Sequence, residues 1–186
     1  RLVVESRGRD VQANAVVALL LTGAVASALH LVGIARVEAA WVGLADLAGP
    51  WLFLVPIFLV VSHRLVPFFS SRVLADYALY KPSFSLPFLA TACAVHFLLE
   101  AWSLPGWTWV ADVPMAAWVG WLAWKWGLTQ SFRARLLAML HVSLAVLAVA
   151  LAFHAVASLA TLAGAPGLFG RRSEEHTSEL QSPVVI

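Results

Sequence analysis

Pro56-Ile-Phe-Leu-Val-Val-Ser62-His63-Arg64-Leu-Val-Pro67-Phe-Phe-Ser-Ser-Arg72 decides how this chain is read. Its first half is an apolar helix pattern. Its second half sets a histidine and an arginine against two prolines, two phenylalanines and a pair of hydroxyls. Charged groups at the edge of an apolar segment mark a lipid boundary, where long basic stems lie along apolar surface and their heads reach water. The expectation is an apolar helix that ends at Ser62, followed by a cytoplasmic loop over 63–86.

The rest of the chain agrees with a lipid setting. Of its 186 residues 61% are hydrophobic and only 12% charged, against about half and about a quarter in soluble domains. A helix needs roughly 20 apolar residues to cross the hydrocarbon core, and backbone groups in lipid must bond within the helix. The expected fold is all-α, a polytopic transmembrane helix bundle with five spans over 11–34, 41–62, 87–104, 110–126 and 136–163. With Arg1 inside, Arg7, Arg9, Arg64, Arg72, Lys81, Lys125, Arg133 and Arg135 fall on the same side, and Arg36 falls opposite. That bias places the start of the chain in the cytoplasm. Trp41, Trp102, Trp107 and Trp109 then line the outer boundary and Trp124 and Trp126 the inner one, where anchoring accounts for them. The lipid bilayer is the expected partner, and the few bases, confined to span ends, do not suggest nucleic acid.

Arg172-Ser-Glu-Glu-His-Thr-Ser-Glu-Leu-Gln-Ser182 breaks from the Ala/Leu-rich helix before it. It reads as a translated sequencing adapter, so 172–186 is set apart as a disordered artefact and 1–171 as a fragment of a longer membrane protein. The single Cys93 rules out an internal disulfide and a thiolate cluster, and with them soft-ligand metal chemistry through cysteine. A phosphate loop, a His-Glu-x-x-His helix and a nucleophile elbow are all lacking. No catalytic residue is assigned, and an enzyme is not expected.

Ionisable groups inside apolar spans carry the functional reading. At about 1.5 Å per residue, His30 lies roughly 6 Å, His96 about 12 Å and His154 roughly 14 Å from the outer ends of their spans. His63 and His141 lie near the inner boundary. Two layers of imidazoles from different helices can hold a haem or a metal ion; a single interhelical hydrogen bond explains each ring equally well. Glu100 follows His96 by four residues and shares its helix face, suited to orient that ring. Asp112 reads first as a helix-start residue beside Pro114, and second as part of an acid–histidine path. Arg64 either snorkels or pairs with an acid such as a haem propionate.

The segment WLFLVPIFLVVSHRLVPFFSSRVL, Trp51–Leu74, resembles the V-S-H-R-M-I-P-F-F region of NnrS-type membrane proteins, with Leu65 and Val66 in place of Met and Ile. Arg135–His141, RLLAMLH, continuing to Leu162-Ala-Gly-Ala-Pro166, is similar to a second motif of that family. The resemblance covers most of 11–166. It lacks counterparts of the family's His-rich H-x-H-E-M motif and of its H-A-L-T-I-G-like helix. It implies a bacterial inner-membrane protein carrying haem b and copper, linked to protection from nitric oxide or to denitrification, with nitric oxide or an iron-nitrosyl species as partner. On that basis His141 and His96 are the expected metal ligands, with His154, His30, His63 and Arg64 as further cofactor-binding candidates. The competing expectations are a proton-linked transporter using Glu100, His96 and Asp112 and a purely structural membrane subunit.

Overall fold

The computed structural model describes residues 2–74, 77 and 80–164, with side chains from Gln12 onward; the 172–186 tail lies outside the described residues. Helices α1 (Leu2–Arg36) and α2 (Ala39–Ala48) form an antiparallel hairpin. The hairpin turns at Val37, which takes the left-handed backbone region with φ 56, a strained choice for a β-branched residue. A π-helical turn, Gly49–Leu54, joins α2 to α3 (Val55–Val73). Its widened register has a cause in the sequence. Pro50 and Pro56 lack N–H groups, so the α-ladder loses two bonds there, and the Val55 N–H reaches back five residues to the Pro50 carbonyl. Then come α4 (Ser85–Ala101), a 3₁₀ turn (Pro105–Trp107), α5 (Trp109–Lys125), the short α6 (Leu128–Ser131) and α7 (Arg135–Leu162).

Among the described residues three helical stretches are long and apolar enough to cross a membrane, not five: Gln12–Arg36, Ala39–Val73 and Arg135–Leu162. The expected spans 87–104 and 110–126 form helices of 17 residues each, about 25 Å long and short of the hydrocarbon thickness. The chain itself ends α4 early. Ser103 adopts φ 59, and its N–H and that of Leu104 bond back to Glu100 and Leu99. This is a Schellman stop built on serine instead of glycine.

The opening motif is also corrected. Helix α3 does not end at Ser62 but continues through His63-Arg64 to Val73, with Pro67 inside it. Pro67 removes one ladder bond, to the His63 carbonyl. Packing offsets that loss, because Val66, Pro67 and Ser70 are all buried. Apolar burial outweighs one missing backbone bond.

The core is a seam where α3, α4, α5 and α7 meet: Leu59, Val66, Leu89, Met115, Val119, Leu122, Leu144 and Leu151, capped by Trp51 and Trp126. Trp126 is fully buried and so belongs to the core, not to an inner aromatic belt. Trp41, Trp102, Trp107 and Trp124 are exposed, as interface anchors would be. Helix α1 contributes mostly small buried residues, Gly23, Ala26 and Gly33. At Gly23 a Cβ would lie 2.7 Å from the Phe53 ring, so only glycine admits this close helix approach. The outward faces carry Leu21, Val25, Leu31, Val146, Val149, Phe153 and Val156, an apolar exterior that suits lipid.

Candidate metal centre

Two helices bring the outer-layer histidine to a carboxylate. On α4 the buried stripe runs Ser85, Leu89, Ala92, Cys93, His96, and on α5 it runs Ala111, Asp112, Met115, Val119, Leu122. Both follow the three-and-four spacing of a packed helix face, so His96 and Asp112 point into the seam in place of core residues. Both side chains have zero exposure, and His96 Nδ1 lies 2.6 Å from Asp112 Oδ1. The N–H at Nδ1 donates to the carboxylate, which fixes the tautomer and leaves a lone pair at Nε2.

That Nε2 is buried and has no hydrogen-bond partner, and neither has Asp112 Oδ2. Glu100 Oε1 stands 3.6 Å from Nε2, beyond a good bond. Orphaned buried polar atoms are rare and call for a cause. Here both belong to one cluster, and His154 completes it: one ligand atom each from His96, Asp112 and His154 lies within 4.8 Å of the others.

Position in the cluster is set locally. Ser158, one turn beyond His154 on α7, accepts the Trp109 N–H at 3.1 Å and donates to the Pro105 carbonyl at 2.8 Å. This hydroxyl pins the start of α5 to α7, three residues ahead of Asp112. The π-helical turn delivers Trp51, whose indole stacks on the His96 ring at 3.4 Å and 24° and meets His154 edge-on at 5.4 Å. Its bulk closes one face of the imidazole. Helical π-turns recur at functional sites for this kind of re-aiming.

Two imidazoles and a carboxylate suit zinc, copper or iron. A carboxylate that holds Nδ1–H while Nε2 faces a metal is the usual support of a ligating histidine. The residues present therefore fit a metal ion, and the free Nε2 is also the atom an axial haem ligand would use.

The remaining expected residues stand elsewhere. His63 is buried, its Nδ1–H donating to the Leu59 carbonyl at 2.9 Å. Its Nε2 accepts from the Ser85 hydroxyl at 2.7 Å, and Ser85 in turn accepts the Trp118 indole N–H at 2.8 Å. His141 is buried between two carbonyls, Leu137 at 2.9 Å and Trp126 at 3.0 Å. Both nitrogens of each ring face a protein group, and the neutral His141 ring can donate to one of its two carbonyls at a time. Arg64 is exposed on α3. His30 does not join His96 and His154; it pairs with Asp46 at 2.8 Å on an outward cleft, with side-chain exposures of 37% and 62%.

Sequence reading set Asp112 mainly at a helix start. It does lie in the first turn of α5, and from there it also binds His96. Trp51 and Ser158 were not anticipated; the two prolines around Trp51 were the available signal.

A membrane-embedded α-helical protein with a buried histidine–carboxylate group is the class these features define. The profile of the family described as NnrS protein matches residues 3–169, and the chain belongs to the NnrS family. Searches among curated proteins and among solved structures give no match.

Proposed function

We propose that this chain is a bacterial inner-membrane cofactor protein that binds haem and copper and acts in the response to nitric oxide. The observation that carries it is His96, with Nδ1 held by Asp112, a buried Nε2 without a hydrogen-bond partner, and His154 within ligand reach of the pair. The resemblance of the Trp51–Leu74 and Arg135–His141 segments to NnrS-type proteins supports the choice of cofactors and the nitric oxide role. His96 and His154 would hold the metal, and Asp112 would orient His96. A bound haem iron or copper ion would supply the site that takes nitric oxide; the chain contributes the imidazoles and the carboxylate. The positive-inside bias supports a cytoplasmic start.

The test is the protein purified from membranes in detergent. A Soret band and bound copper are expected, with a shift of the band on adding nitric oxide and loss of the band in His96→Ala. A colourless, metal-free protein would overturn the proposal.

A second reading rests on the acid–imidazole–acid array Glu100, His96, Asp112, bonded at 2.6 Å on the Asp112 side and 3.6 Å apart on the Glu100 side. Such arrays serve proton relays in membranes. Acidification-driven solute uptake into liposomes, absent in Glu100→Gln, would favour that transporter over the cofactor protein.

A further inference from the structure

Helices α1 and α2 and the π-helical turn enclose a cleft of about 530 Å³, apart from the metal centre. Its polar end holds His30 and Asp46, with Nδ1 2.8 Å from Oδ1. Along the helix axes the pair lies roughly 9–10 Å from the hairpin end of α1 and α2. At that depth in an apolar span an ionisable group is costly and carries a function by default. Core packing does not account for the pair, because both side chains stay partly exposed. Leu31 and Leu54, which also line the cleft, are exposed in turn. The cleft therefore opens on the apolar exterior, and its ligand arrives from lipid.

The lining selects among lipid-borne molecules. Ser27 is the remaining hydroxyl, and its proton is spent on the Gly23 carbonyl at 2.9 Å. What the pair offers is acceptors: the Asp46 carboxylate and, with Nδ1 turned to that carboxylate, His30 Nε2. No lysine or arginine is found among the described lining residues, and an acid there disfavours a phosphate head. Below the pair the walls become apolar. Gly23, two turns down α1, meets the Phe53 ring, and Ala26, Ala45 and Gly49 leave room beside it. A neutral ring that donates a hydroxyl hydrogen and trails an apolar tail fits both ends; such a molecule is a hydroquinone.

We propose that this cleft binds the head of a membrane hydroquinone, one ring hydroxyl donating to the His30–Asp46 pair and the ring lying toward Phe53. The cleft's size is that of a small-molecule site. The turn that lines it with Pro50, Phe53 and Leu54 also carries Trp51 onto His96, so the ligand and the candidate metal centre share one wall. The site stands on the cleft and the pair and does not depend on what His96 holds.

The test is equilibrium binding of a decyl-tailed benzoquinol, kept reduced without oxygen, to the full chain in phosphatidylcholine nanodiscs. Saturable binding of one molecule per chain is expected. His30→Ala and Asp46→Ala should each weaken it about tenfold or more, the cost of a lost hydrogen bond to a charged pair. A Cβ at Gly49 meets nothing within 4 Å, so Gly49→Leu should fill the cleft without a clash and block binding while the pair stays intact. The dimethyl ether of the probe, with ring and tail but no hydroxyl, should bind the unaltered chain at least tenfold more weakly. Absence of saturable binding, equal binding of the ether, or full binding in both His30→Ala and Gly49→Leu would overturn the proposal. None of these results bears on the Soret band, and a colourless protein that binds the probe would sink the haem and copper reading alone.

Discussion

Of the outer histidines His96 alone is as buried as the inner pair His63 and His141, and it is differently used. His96, His63 and His141 are all hidden in the same seam. At the inner level each ring nitrogen already faces a protein partner: Leu59 and Ser85 for His63, Leu137 and Trp126 for His141. At the outer level one nitrogen of His96 holds a carboxylate and the other makes no hydrogen bond, with Glu100 standing off at 3.6 Å. Burial and depth alone therefore do not mark a ligand. An imidazole with one nitrogen oriented and one left open does.

The inner histidines instead organise the end of α5. The Trp126 carbonyl accepts from Ser70 at 3.0 Å and from His141. Its indole N–H donates to the Tyr80 carbonyl, and its ring meets His63 edge-on at 5.0 Å. Helices α3, α5 and α7 are thus fastened at one residue, where a helix C-terminus presents free carbonyls. This is structural work that a histidine does without a metal.

Substitutions can break or sharpen this contrast. The largest effect is expected from His96→Ala, which should reduce bound cofactor to background, read by absorbance and metal content. Asp112→Asn should follow, weakening metal affinity by about 10–100-fold, the usual cost of losing a ligand's carboxylate support; competition with a chelator would measure it. Ser85→Ala leaves the buried His63 Nε2 without a donor and should cost about 1–3 kcal/mol of stability. It would appear as an earlier unfolding midpoint in detergent, with cofactor retained in the folded fraction. The smallest effect belongs to His30→Ala. Its pair with Asp46 is partly exposed, so stability should change by less than about 1 kcal/mol and cofactor content not at all.

Much of this was legible in the residues. Helices, their apolar exteriors and the meeting of His96 with His154 followed from spacing and depth. The count of spans did not, because a serine in a left-handed turn stops α4 at 17 residues, and serine carries no stop signal of its own. The continuation of α3 past His63-Arg64 was hidden because charge and proline usually end a helix; burial of Val66 and Ser70 overrides them locally. The separation of His30 from the other outer rings was hidden as well. Depth says nothing of azimuth, and Gly33 brings α1 against α2 at Trp41 and Val42, the helix that carries Asp46 to His30.

The most direct test is imidazole ¹⁵N NMR of histidine-labelled protein, recorded before and after adding zinc as a diamagnetic metal. The account predicts that the His96 Nε2 and His154 resonances move on metal addition while those of His63 and His141 stay in place. Movement of His141 or His63 with His96 unchanged would contradict it.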